Sequence, residues 1–382
     1  MIKRVNKKQI LLCGLLSLCM GLSLCLWGCG SEGESGSASG PADGQEPVSR
    51  DFFAMDTYMT VTAYGENAAE ATEAAEAEVN RLDAMLSTGN ADSEIARVNG
   101  GGGVDAAGGG ELSEEAGALV EQGLALYEET GRKFDIAIYP IMDAWGFTDK
   151  DYRVPSDEEL EKLLPLTDAA KVHYDAEKHS VSFDAEGMAI DLGGIAKGYT
   201  SSRIMEIYRE HGVESGLVSL GGNVQVLGTK PDGSSWRVAV QDPGSSSGDE
   251  GDEADGGSAA EDGQVQYLGI LEAVDTAVIT SGAYERNFTQ DGHLYHHIID
   301  PATGKPADSG LKSVTIVSED GTLADALSTS LYIMGKDAAL EYWRAHADQF
   351  DCILMDDAGE LYVTAPIAEQ FSSDAYHVNV VE

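Results

Sequence analysis

Short apolar runs with strand character recur along the chain, interrupted at irregular intervals by amphipathic helical segments. That irregular mixture is the strongest constraint on its fold. Alternating apolar positions mark strands from Met55 to Tyr64, Gly216 to Leu220, Val224 to Gly228, Trp236 to Gln241, Val265 to Leu271, Ala277 to Ser281, Lys312 to Val317 and Cys352 to Met355. Helical patterns fill Glu66 to Leu86, a Ser113-capped segment ending at Thr130–Gly131, a segment opened by Ser156 and Glu159, and a stretch ending at Gly212. Two more run from Leu323 to Met334 and from Lys336 to Gln349. Strands and helices mixed in this way predict an α+β fold with mixed or antiparallel sheets packed against helices. No repeat period of solenoid length is present.

The first 28 residues are set apart from this pattern. Lys3, Arg4, Lys7 and Lys8 precede an uncharged run from Ile10 to Trp27, which reads as an export signal. The run is also long enough for an uncleaved membrane anchor. Leu26-Trp27-Gly28 before Cys29 resembles a lipoprotein lipobox, with Trp27 departing from the small residue usual there. Residues 29–47, rich in Gly, Ser and acids, fit a flexible tether, so one folded body is expected over 48–382.

Four of the five cysteines lie in the leader or at its end, leaving Cys352 alone in the folded part. An internal disulfide and a cysteine-rich zinc site are therefore excluded from the mature chain. Cys352 sits among Ile353, Leu354 and Met355 and reads as core. The formal net charge is −42, and loss of the four leader cations takes it to about −46, a surface that repels nucleic acid. Part of the excess is a Gly- and Ser-rich tract from Gly244 to Gly263 with seven acids and no bases, predicted to be a disordered insertion.

Several segments carry residue types that do chemistry. In His293-Leu-Tyr-His-His-Ile-Ile-Asp-Pro-Ala-Thr-Gly-Lys-Pro306 a short strand sends His296 and His297 to opposite faces and ends in a polar turn. Asp191-Leu-Gly-Gly-Ile-Ala-Lys197 places an acid before a glycine turn and a lysine one turn into a helix, whose first amides favour an anion. Asp325 and Thr329, four residues apart, share a helix face and offer hard oxygen ligands suited to Mg²⁺. Gly221-Gly222 interrupts a strand and marks a bend or a close approach. Phe134-Asp135 and Trp145-Gly146-Phe147 flank an apolar run. Each segment alone also fits a purely structural role. The glycine-rich loop from Asn99 to Gly110 lacks the ending of a phosphate-binding P-loop and reads as a linker.

As a set, these segments resemble the FAD:protein FMN transferases of the ApbE family, over about Met55 to Thr364. The matching stretches are Asp191 to Lys197, Leu220 to Asn223, Thr280-Ser-Gly-Ala-Tyr-Glu-Arg286, His297 to Pro306 and Ala324 to Thr329. Weaker matches are Met55-Asp56-Thr57, Ser93 to Asn99 and Phe134 to Phe147, and Asp56 stands where the family usually has glycine. The resemblance implies transfer of FMN from FAD to a Thr or Ser hydroxyl of an exported protein, with AMP released. It implies FAD contacts from Met55, Phe134, Asp135, Asp191, Lys197 and Ile298, and Mg²⁺ held by Asp325, Thr329 and the Gly194 carbonyl. His297 is the candidate base for the acceptor hydroxyl.

The implied acceptor is an exported protein, typically a redox-complex subunit, carrying a Ser/Thr-Gly-Ala-Ser/Thr motif. The chain's own Thr280-Ser281-Gly282-Ala283 is followed by Tyr284, which argues against self-modification. Lipidation at Cys29 would place the enzyme outside the cytoplasm on the bacterial membrane. Two rival readings stay open at this level: a Mg²⁺-dependent FAD pyrophosphatase, and a flavin-binding lipoprotein without turnover.

Overall fold

A computed structural model of the chain describes residues 46–100, 109–244 and 266–382. The leader, Cys29, nearly all of the tether, most of the glycine-rich loop and nearly all of the acidic tract lie outside the described residues. Helices and mixed sheets make up the rest, the α+β arrangement expected.

Nine strands form the main sheet, and their order across it follows their order along the chain. They are Val48–Ala54, Thr57–Tyr64, Ser215–Leu220, Asn223–Leu227, Ala277–Gly282, Leu311–Ser318, Asp351–Asp356, Leu361–Thr364 and Val378–Val381. All neighbours are antiparallel except the last pair. The central strands are buried on both sides, so they read as continuous apolar runs rather than clean alternations. Ile279, Ile316 and Leu354 face one core, while their neighbours Val278, Val317 and Ile353 face another.

On the first face lie the helices Ala68–Leu86, Gly193–Glu210 and Gly321–Met334. Ala71, Ala75 and Val79 pack with Ile204 and Tyr208 over Met59, Val61 and Val218. Leu327 and Leu331 pack over Ile279 and Ile316; each such fully buried side chain contributes about 1.5–3 kcal/mol. The other face is covered by a three-stranded sheet of Trp236–Gln241, Tyr267–Ala273 and Phe371–Ser372. The acidic tract lies in the connection between the first two of these strands, which pair antiparallel.

Residues 82–196 build a further core around Leu119, Ile136, Ile190 and Ile195. Ser113 accepts the Ala116 N–H and Ser156 the Glu159 N–H, so both predicted helix starts are capped as read. Cys352 is fully buried, which pushes its thiol up and makes it the core residue expected.

The structure corrects three element expectations. Met55 does not begin a strand: Met55 and Asp56 form a two-residue turn between Val48–Ala54 and Thr57–Tyr64, both at positive φ (47° and 60°). Met55 is not a turn former, and Asp56 is followed by Thr57 rather than by the glycine that marks a two-residue hairpin, so the pattern does not separate the two strands. Gly221-Gly222, also at positive φ, is a second two-residue hairpin turn rather than an interruption within one strand. The helix begun at Lys336 stops at Ala345, short of Gln349.

Candidate active site

The Gly193–Glu210 and Gly321–Met334 helices cross where neither has a side chain. A Cβ on Gly198 would stand 2.1 Å from the Gly321 carbonyl oxygen, and one on Gly321 would stand 2.7 Å from the Gly198 carbonyl oxygen. This contact lets the Asp325 carboxylate reach across and accept the Gly198 N–H at 2.8 Å through Oδ2. Its Oδ1 accepts from the Asn223 side-chain amide at 3.0 Å, just beyond the Gly221-Gly222 turn. Burial raises the Asp325 pKa, against the opposing pull of Lys197 and the Gly198 N–H. A buried carboxylate in that state gains from a nearby cation.

Asp325 and Thr329 line a cavity of about 170 Å³ together with Phe134, Asp135, Gly194, Lys197 and Ile298. Thr329 Oγ1 lies 3.3 Å from Ser281 Oγ. The Phe134 ring covers Gly194, where a Cβ would meet it at 2.9 Å. Asp135 caps a short turn by accepting the Ala137 N–H at 2.8 Å, and burial pushes its carboxyl up to about 7. The oxygen donors Asp325, Thr329 and the Gly194 carbonyl suit a hard ion that keeps most of its waters or phosphate ligands. Among the described residues, no group of three or more His, Cys, Asp or Glu is arranged to hold a metal.

A second cavity of about 280 Å³ adjoins it, lined by Met55, Asp56, Thr57, Phe147 and Gly221 among others. The two share a wall of Met142, Asp191, Gly193, Lys197, Glu285, Arg286 and His297, so they are two lobes of one cleft. Asp191 sits at the start of the Gly193–Glu210 helix, and its Oδ1 takes the Gly193 N–H at 2.7 Å. The anion favoured by that helix start is thus the chain's own carboxylate. Burial raises its pKa.

His296 and His297 do diverge. His296 is buried, its Nε2 donating to the Ala307 carbonyl at 3.2 Å and its ring against Tyr332. His297 faces the cleft, with its backbone N–H donating to the Arg286 carbonyl at 3.0 Å and its Nδ1 lying 3.1 Å from the same oxygen. That bond places the imidazole proton on Nδ1 and leaves Nε2 as an acceptor. Burial and the Arg286 guanidinium push the imidazole down to about 3. The neutral imidazole can accept a hydrogen bond from a hydroxyl through Nε2. The Trp145 indole donates to the Gly304 carbonyl at 2.8 Å and anchors the turn that follows.

Every sequence-predicted cleft residue thus lines one lobe or the other, while Cys29 lies outside the described residues. Two charged residues on the shared wall, Glu285 and Arg286, had no role assigned from sequence, nor had Asn223, the donor behind Asp325. The adjacent acid and base in Tyr284-Glu285-Arg286, directly after a buried strand, were the available signal. A cavity of about 800 Å³ elsewhere is lined by Glu272, Asp275, Glu319, Asp320 and Asp348, with no Lys, Arg or His on its wall.

Comparison with known proteins agrees with this geometry. The ApbE family profile matches residues 55–354. The FAD:protein FMN transferase of Treponema pallidum is 32% identical over 317 residues, 78% of this chain and 82% of that protein. That of Klebsiella pneumoniae is 30% identical over 294 residues, 77% of this chain and 84% of that protein. Among solved structures, the ApbE protein of Thermotoga maritima superposes with a TM-score of 0.74 at 30% identity, covering 86% of this chain and all of that one. The flavinyl transferase ApbE of Pseudomonas stutzeri gives 0.71 at 26% identity, covering 86% of this chain and 98% of the other. The chain belongs to the ApbE family.

Proposed function

We propose that the protein is a Mg²⁺-dependent FAD:protein FMN transferase, moving FMN from FAD to a Thr or Ser hydroxyl of an exported protein and releasing AMP. The observation that carries this reading is the two-lobed cleft. One lobe holds an Asp325–Thr329–Gly194 oxygen set, the other is open to a second reactant, and Lys197, Arg286 and His297 stand on the wall between them. Phosphoryl-type transfer needs little covalent help from a protein; positioning and charge neutralisation do most of it.

In this reading Lys197 and Arg286 bind the FAD pyrophosphate. Phe134 and Ile298 provide apolar surface, and Asp135, Asp191 and Met55 complete the FAD contacts. Asp325, Thr329 and the Gly194 carbonyl hold Mg²⁺, which supplies charge neutralisation at the phosphates. The neutral His297 Nε2 receives the hydrogen bond of the acceptor hydroxyl and orients it. Cleavage by water in place of the hydroxyl would make the protein a FAD pyrophosphatase, and incubation with FAD, Mg²⁺ and an exported protein bearing Ser/Thr-Gly-Ala-Ser/Thr separates the two. Flavin fluorescence that stays with the denatured acceptor supports transfer; soluble FMN alone refutes it.

The leader and Cys29 support a lipid-anchored, extracytoplasmic enzyme whose acceptors are exported redox-complex subunits. Cys29→Ser should shift the protein from the membrane to the soluble fraction, and unchanged membrane association would remove the lipid anchor from the reading.

A further inference from the structure

The carboxylates around the cleft differ in what already binds them. Asp191 accepts the Gly193 N–H, Asp135 the Ala137 N–H, and Asp325 has a donor on each oxygen. Glu285 stands on the wall shared by both lobes, exposed to the cleft, and no hydrogen bond or ion pair engages its carboxylate among the described residues.

Its main chain is nonetheless held in place. The turn that carries it is closed by the Glu285 N–H on the Gly282 carbonyl at 3.3 Å, and the Tyr284 ring folds over Gly282, where a Cβ would meet it at 2.3 Å. The next carbonyl, that of Arg286, is the one clasped by the His297 N–H and Nδ1. Glu285 and His297 therefore sit on one short stretch of wall, joined through the Arg286 carbonyl.

Resting on the FMN-transfer reading, we propose that Glu285 is the proton acceptor of this cleft, with His297 orienting the acceptor hydroxyl. The hydroxyl proton passes to the Glu285 carboxylate, and the hydroxyl oxygen forms its bond to the phosphorus on the riboflavin side. The bond from that phosphorus to the bridging oxygen of the pyrophosphate breaks, and its electron pair leaves with AMP. The surroundings divide the two groups in the same sense. Desolvation within the cleft raises the Glu285 carboxyl above the ordinary carboxylate range, against the pull of Lys197 and Arg286. His297, facing Arg286, Lys197 and His296, is pushed down to about 3. A base works best with a pKa near the operating pH, and two titratable groups driven apart in this way take different roles.

The test uses the full chain in detergent with FAD, Mg²⁺ and an exported protein bearing the acceptor motif. Glu285→Gln is expected to lower kcat for flavin attachment by about 100-fold or more, with FAD affinity within about threefold, and to abolish the fall in rate below about pH 7. Glu285→Asp should recover part of the rate and keep that fall. A Glu285→Gln rate within about threefold of wild type, a retained acid limb, or a loss of FAD affinity parallel to the loss of rate would each overturn the assignment. If the wild-type protein yields only soluble FMN, the transfer reading fails, and the same variants judge Glu285 on FAD cleavage by water.

Discussion

The two walls of the cleft are built on opposite plans. On one side the Gly193–Glu210 and Gly321–Met334 helices meet backbone to backbone, and the carboxylates at that wall are already bound: Asp325 to Gly198 and Asn223, Asp191 to Gly193. On the other side a turn and a short hairpin present Glu285, Arg286 and the Nε2 of His297, whose reactive ends have no partner among the described residues. The contrast separates holding from reacting. Groups that bind a charged ligand gain from rigid prior hydrogen bonds, whereas a group that moves a proton must keep a lone pair free.

Substitutions on the two walls should therefore fail differently. The largest effect is expected from Asp325→Ala, which removes the carboxylate from the helix wall: flavin attachment should fall by at least about 1,000-fold at ordinary Mg²⁺. Full activity of that variant would detach the helix wall from metal binding. His297→Ala, on the other wall, should slow attachment by about 100-fold while FAD affinity, read by fluorescence quenching, changes little. A matching loss of affinity would erase the distinction between the walls.

Gly198→Ala tests the crossing itself. A methyl group 2.1 Å from the Gly321 carbonyl oxygen forces the helices apart, at a cost of about 1–3 kcal/mol, visible as a lower Tm and a loss of activity together. An unchanged Tm would mean that the crossing has slack. Deleting residues 245–263 should have the smallest effect, with rate and Tm close to wild type, because the tract joins two strands of the sheet on the far face from the helices. A marked loss of activity would tie that tract to the cleft.

The helix wall was largely legible in the chain. Asp325 and Thr329 declare their shared face by spacing alone, and the capped helix starts and apolar strand runs fall where the residues imply. What joins the two helices was not legible, because Gly198 and Gly321 carry no side chain to signal that they touch. The hairpin of Val48–Ala54 was missed for a related reason: an edge strand alternating Ser49, Arg50, Asp51 and Phe52 looks like surface, and its turn uses Met55 and Asp56 where glycine or asparagine would announce it. Glu285 lay within a matched motif yet had no assigned role, since only folding shows that, of the two carboxylates on the wall shared by both lobes, Asp191 has a donor and Glu285 has none among the described residues.

Consecutive pairing across the large sheet keeps near neighbours in sequence near in space, but the cleft obeys no such rule: its lining runs from Met55 to Ile333. A dinucleotide lodged there would act as a non-covalent staple between distant parts of the polypeptide. Saturation at 100 times Kd would then raise the stability of the whole body by about 2.7 kcal/mol, so scarcity of FAD would bear on how long the enzyme survives as well as on how fast it works.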